Sequence, residues 1–308
     1  MTFSDNTAHL YFEKTAISCQ NYLRCSNFLE SVPIFPGGKK PGGKNSIILQ
    51  SREIECNVEA CIEMNKNECS ILGVKVHAIS FEETIATIQQ YIEGREPRMV
   101  ITLGTEMVMA AQKNSEFISI VNGCDLVCAD AVGIAWALKR KGFPIEEKVA
   151  GIDILEKLCS MSGPKGWKLY FLGSGEGVAE EAVQNLRKRY PEMIVAGISH
   201  GFFTDDDIMV EKIRASSPDI LFIAMGSPKQ EFWFWKHREK LGVPVGIGVG
   251  GSLDVLSGKL RRSPRWMIRF GLEWLYRLYL QPWRWKRMLV LPLFVLNVLM
   301  RDRKKRQN

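Results

Sequence analysis

The sequence predicts an α/β fold, a mostly parallel sheet with helices on both faces, followed by a basic, tryptophan-rich helical appendage. Three observations carry this reading. From Ser70 onward, short runs rich in Val, Ile and Leu alternate with longer segments of helical periodicity. The short runs are continuously apolar rather than alternating, as strands covered on both faces are. The charge is segregated: Lys259 to the C-terminus holds 14 Lys/Arg and two acids, net +12, while the whole chain is +7, which leaves −5 for residues 1–258.

Residues 1–69 stand apart. The turn-rich "PIFPGGKKPGGKNS" and the short periodic pieces around it do not make a core, and the segment reads as an accessory or poorly ordered extension. The core is expected over 70–258. "SILGVKVHAI" reads as a strand or hairpin. "SFEETIATIQQYIEG" reads as a helix with Ser80 as N-cap and Glu83 completing a capping box. "RMVITLG" is a buried strand, "TEMVMAAQKNSEFISIVNG" largely helix, "DLVCA" a strand and "VGIAWALKRKG" a helix. After the helix "IDILEKLCSMSG", the strands "KLYFLGSG", "IVAGISHG", "DILFIAMG" and "VPVGIGVG" alternate with the helices "VAEEAVQNLRKRYP", "DDDIMVEKIRASSP" and "PKQEFWFWKHREKLG". This is a Rossmann-like succession, in which ligands bind outside the carboxyl ends of the strands.

The appendage, 259–308, contains four of the eight tryptophans. Its apolar run Leu289–Met300 is shorter than the ~20 residues that span a bilayer. Trp and Arg interleaved on amphipathic helices fit an interfacial helix on an anionic membrane. An aromatic core helix pair with basic outer faces fits the same composition. No nucleic-acid-binding motif accompanies the charge, so nucleic acid is not expected as a partner. The start has no basic segment followed by an apolar one, so no secretory signal is read, and the eight cysteines are expected as reduced thiols. Their spacing fits no zinc site, and neither metal nor cofactor is expected.

Polar residues gather at three strand ends: Thr102, Thr105 and Glu106; Asp130; and Ser227, Lys229, Gln230 and Glu231. In a doubly wound sheet these turns can share one edge. Asp130 in "LVCADAVG" reads two ways, as a general base for a hydroxyl substrate or as a helix N-cap. In "GSPKQE", Gly226 allows a tight turn and Pro228 suits a first helical turn, placing Lys229 and Gln230 where helix N–H groups can hold a phosphate or nucleotide; an ordinary capped helix fits the same residues. "FLGSGEG" puts Gly173, Gly175 and Gly177 between strand and helix without completing GxGxxG, a weak phosphate-cradle signal. "GIGVGGSLDVLSG" offers a further glycine turn, with Asp254 eight residues before Arg262: a sugar or phosphate contact, or a turn followed by a cap. GxSxG, P-loop and HExxH motifs are missing.

Taken together and in order, "VITLGTEMVMAA", "LVCADAVGIAWALKRKG", "KVAGIDILEKL", "LYFLGSGEGVAEEA", "HGFF", "PDILFIAMGSPKQEFW", "GVGGSLDVLSGKLRRSPRWM" and "GLEWLYRLYLQPWRWKRM" resemble glycosyltransferase family 26, of the TagA/WecG/CpsF type, over about residues 70–300. The resemblance implies an inverting, metal-independent, cofactor-free transfer from a UDP-sugar to a polyprenyl-diphosphate-linked sugar, in cell-surface or exopolysaccharide synthesis. The implied donor is UDP-N-acetylmannosamine or its uronic acid, with UDP-glucose in a xanthan-type branch. It implies a cytoplasmic protein held peripherally on the inner face of the membrane, and leaves a homo-oligomer open. Residue by residue, the catalytic Asp falls on Asp130, the active-site Thr on Thr102 and the Gln of the PKQE block on Gln230. The arginines reaching the diphosphate fall among Arg262, Arg265, Arg277, Arg284 and Arg287, with Lys148 as a further cation. Three positions depart from the family pattern: Gly104 replaces an Asn, Ala131 a Gly, and Lys148 an Arg, which keeps the charge without the planar fork. A non-catalytic nucleotide-sugar-binding scaffold at the membrane is the alternative.

Overall fold

The computed structural model describes residues 67–307 apart from 144, 146 and 147. Its strands are β1 (Glu68–Ile71), β2 (Val74–His77), β3 (Arg98–Leu103), β4 (Leu126–Ala129), β5 (Lys168–Gly173), β6 (Ile194–Ser199), β7 (Ile220–Ala224) and β8 (Val245–Gly248). The helices of the body are α1 (Phe81–Gly94), α2 (Thr105–Ala111), α3 (Ser115–Gly123), α4 (Val132–Arg140), α5 (Gly151–Lys165), α6 (Val178–Arg189), α7 (Asp206–Ser216), α8 (Lys229–Leu241) and α9 (Ser252–Leu256). The appendage adds α10 (Arg265–Arg269), α11 (Glu273–Leu280), a short 3-10 turn (Pro282–Arg284), α12 (Trp285–Met288) and α13 (Val290–Gln307). The expected extension over 1–69 lies outside the described residues as far as residue 66. Its last two residues, Glu68 and Cys69, already belong to β1.

The strands form one sheet in the order β1-β2-β4-β3-β8-β7-β5-β6. Every pairing is parallel except the β1–β2 hairpin. Alternation within β3 shows why the sheet is covered twice: Met99, Ile101 and Leu103 enter one core and Val100 the other. The first core also holds Val127, Tyr170 and Leu221, and the second Cys128, Phe171 and Phe222. The junction of β3 with β8 joins the strands that come early in the chain to those that come late, and it lies near the middle of the sheet.

Local sequence sets the helix ends. Ser80 and Glu83 close the expected capping box on α1. The segment read as largely helical over 105–123 holds two helices, because the Asn114 side chain accepts from the Phe117 N–H and starts α3 afresh. The appendage is not an aromatic core helix pair. Trp266, Trp274, Trp283 and Trp285 are all exposed, and only Ser263, Phe294 and Val298 are buried among its described side chains. Phe294 anchors α13 against Gly133 of α4, and Asn297 Nδ2 reaches Met109 Sδ of α2 at 3.7 Å. Among the described residues, no helix is long and apolar enough to cross a membrane.

Candidate active site

The carboxyl edge of the sheet is built differently at its centre and its flanks. The five central strands β4, β3, β8, β7 and β5 lead into α4, α2, α9, α8 and α6 through Ala131, Gly104, Gly251, Pro228 and Gly177. None of these N-caps has a side chain that bonds its helix. The flanking strands β2 and β6 lead into α1 and α7, which Ser80 and Asp205 cap in the ordinary way. Small or non-capping residues thus line the middle of the edge, leaving space and helix termini facing the crevice.

Asp130 stands in this stretch. Its N–H donates to Leu103 O at 3.2 Å, tying the end of β4 to the end of β3. The cap of α4 is Ala131, so the helix-cap reading of Asp130 is not the one the fold uses. The Asp130 carboxylate accepts instead from the Gly151 N–H at the start of α5. Burial raises the Asp130 pKa; Lys148, Arg277 and the Gly151 N–H pull the other way, and Asp153 adds to the rise. Lys148 mirrors this: burial lowers its pKa, Asp130 and Asp153 raise it, and Arg262 and Arg277 lower it further.

Thr102 adjoins the same group. Its Oγ1 donates to Gly248 O at 3.0 Å, bridging β3 and β8. Gly151 packs directly on it: a Cβ there would lie 3.0 Å from Thr102 Oγ1. Gln230 is buried, with Oε1 accepting from the Gly250 N–H at 3.2 Å and Nε2 donating to Glu231 Oε1 at 2.7 Å. Its backbone N–H is taken by Gly226 O. That N–H is therefore not open to an anion as the sequence suggested, because the tight turn at Gly226 already closes on it. Lys229 is exposed, its Nζ 3.4 Å from Gly201 O.

Gly173 has a structural reason that the phosphate-cradle reading did not foresee. With φ 133°, it lies so close to β7 that a Cβ would sit 2.4 Å from the Ala224 carbonyl carbon. Asp254 is in the first turn of α9 beside Gly251.

Residues 69–308 match the glycosyl transferase WecG/TagA/CpsF family. The chain belongs to this family. Among its relatives are N-acetylglucosaminyldiphosphoundecaprenol N-acetyl-beta-D-mannosaminyltransferases from three bacteria. That of Bacillus spizizenii is 34% identical over 69% of this chain and 83% of its own. That of Bacillus subtilis is 32% identical over 71% and 85%. That of Staphylococcus aureus is 28% identical over 78% and 95%. As a WecG/TagA/CpsF member the chain is a glycosyltransferase.

In this glycosyltransferase the appendage reaches the residues around Asp130. Glu273 of α11 forms an ion pair with Lys148, and Arg277, one turn on, acts on Asp130. Arg262 pairs with Asp153 of α5. The other arginines are more distant in their contacts: Arg287 is 3.4 Å from Glu106, and Arg265 is exposed at the start of α10. The Arg284 side chain lies outside the described residues. Sequence reasoning assigned no role to Asp153, Glu273 or Glu231. The first two lie inside the quoted blocks "KVAGIDILEKL" and "GLEWLYRL", as acids in the first turns of α5 and α11, where carboxylates suit a helix N-terminus.

Proposed function

We propose that the chain transfers a sugar from a UDP-sugar to a polyprenyl-diphosphate-linked sugar, with inversion, in the synthesis of a cell-surface polysaccharide. N-acetylmannosamine or its uronic acid is the preferred donor sugar, since the relatives named above are N-acetylmannosaminyltransferases. Glucose is the second candidate, because Gly104 leaves open space beside Asp130.

One observation carries the reading: a carboxylate, Asp130, held at the carboxyl edge of the sheet by the Gly151 N–H, with Lys148 and Arg277 as the strongest cationic influences on it. Asp130 takes the proton of the acceptor hydroxyl as its oxygen attacks the anomeric carbon from the face opposite UDP. The bond to the diphosphate breaks with inversion. Lys148, Arg262 and Arg277 offset the charge that develops on the leaving diphosphate. Thr102 and Gln230 line the crevice on either side of the β3–β8 junction.

The lipid-borne acceptor requires the enzyme to meet a membrane. The exposed tryptophans of the appendage, Leu289 just before α13 and an apolar stripe on α13 (Leu293, Leu296 and Met300) are the surface for that meeting on the cytoplasmic leaflet.

The test is transfer of radiolabelled sugar from UDP-N-acetylmannosamine, its uronic acid and UDP-glucose to sugar-diphospho-polyprenol. Label entering the lipid phase is the expected result, and the donor that gives it names the sugar. Label released as free sugar would make the protein a hydrolase. Retention of intact donor without turnover would make it a binding scaffold.

A further inference from the structure

Glu231 is a buried group at this edge whose chemistry the mechanism leaves unused. It lies at the third position of α8 with 0% of its surface exposed. Its Oε1 accepts from Gln230 Nε2 at 2.7 Å; the Ser227 hydroxyl and the Glu231 backbone N–H also face the carboxyl, though neither reaches the buried Oε2 in full hydrogen-bond geometry. An acid at this helix position commonly serves the helix terminus from the solvent side. Here the side chain is turned inward, against Gly248 of β8. A Cβ on Gly248 would lie 2.6 Å from Gln230 Nε2 and 3.3 Å from Glu231 Oε1, so the strand has no side chain where the two meet.

The contacts run on from there toward Asp130. Gln230 Oε1 holds the Gly250 N–H, and Gly248 O holds Thr102 Oγ1. Gly151 packs on Thr102 and donates to Asp130. An amide can lie either way round unless its neighbours decide. Gly250 requires an acceptor on one side of Gln230 and Glu231 requires a donor on the other, so the orientation is fixed. The second Nε2 hydrogen has no partner among the described residues.

We infer that Glu231 is a positioning residue: its carboxyl orients the Gln230 amide so that the remaining Nε2–H is presented to the bound donor. Burial, which raises the Glu231 pKa, fits a neutral carboxylic acid whose Oε1 still accepts. The inference rests on the transferase reading given above.

The experiment is a double-mutant cycle between Glu231→Met and Gln230→Ala, with Glu231→Gln alongside, assayed for sugar transfer and for UDP binding by calorimetry. Methionine fills the same space without an oxygen. The expected result is a fall in kcat of about tenfold or more for Glu231→Met in the wild-type background, and less than about twofold in Gln230→Ala. Glu231→Gln, which can still accept from Nε2, keeps turnover within about twofold. Equal losses in both backgrounds would overturn the inference, as would full turnover in a folded Glu231→Met protein. Should Glu231→Met fail to fold, Glu231→Gln decides: retained turnover supports the inference, and a folded variant as impaired as Gln230→Ala overturns it. If the wild type transfers no sugar, the transferase reading fails instead, and the cycle is read on the UDP dissociation constant by the same criteria.

Discussion

Burial raises the pKa of Asp130, yet a general base must be ionised to work. Folding is favoured by its neutral form, so its contribution is present below the unfolded value of about 3.9 and is lost as pH rises through the higher folded value. Asp130→Asn removes the charge and can keep the bond from Gly151. We expect it to raise the melting temperature at neutral pH, an advantage that closes as pH falls toward about 4, and to lower kcat by about 10²- to 10⁴-fold. Normal transfer by the folded variant would end the assignment of Asp130 as base. Because the ionised form is needed, the acid limb of the wild-type pH–rate profile should lie above the ordinary carboxylate range. Arg277→Ala should move that limb to still higher pH, since Arg277 is among the groups that lower the Asp130 pKa; an unmoved limb would show that α11 does not act on the base.

At the scale of elements, two glycines at the same edge make opposite predictions. Gly173 is held at φ 133° against the Ala224 backbone, where neither partner can yield. Gly173→Ala should destabilise the fold by about 3 kcal/mol or more, measured by denaturant unfolding. Gly104 has φ −93° and ψ 159°, an extended conformation open to any residue, and nothing lies within 4 Å of an added Cβ. Gly104→Ser should therefore be neutral or add a few tenths of a kcal/mol, by supplying the missing cap on α2. Strands and most helices were legible from the sequence because continuous apolar runs and capping boxes are local signals. The break between α2 and α3 was not, since the apolar pattern continues through Asn114 and only its cap geometry divides it. The cap reading of Asp130 was wrong for a similar reason: Asp is a good cap in general, but here the chain turns one residue later, at Ala131.

At the scale of the whole molecule, the site depends on which strands become neighbours. The sequence places Thr102 and Gly248 146 residues apart. It is the insertion of β8 between β3 and β7 that joins them, and strand order is not written in any one segment. The carboxylates Asp153 and Glu273 escaped notice for the same reason, because their partners come from other parts of the chain. The appendage's composition, in contrast, was readable at once, and its exposed tryptophans exclude the aromatic core pair among the two arrangements that composition allowed. Leu293 and Leu296 lie on the exposed side of α13, opposite Phe294 and Val298. Leu293→Glu with Leu296→Glu should leave the melting temperature unchanged, and should weaken sedimentation with anionic vesicles by about tenfold. Unaltered vesicle binding would remove the stripe from the membrane surface.

The pairing of Lys148 with Glu273 and of Arg262 with Asp153 has a further consequence. These cations already have counter-ions of the protein's own, so under the proposed function a diphosphate would arrive by exchange, each phosphate oxygen displacing a carboxylate instead of entering bare positive charge. The number of ion pairs changes little, and UDP affinity should fall only shallowly with added salt. Glu273→Gln strips one resident anion. It should tighten the grip on UDP in calorimetry and steepen its salt dependence, so that the released nucleotide leaves more slowly and turnover becomes limited by departure of product.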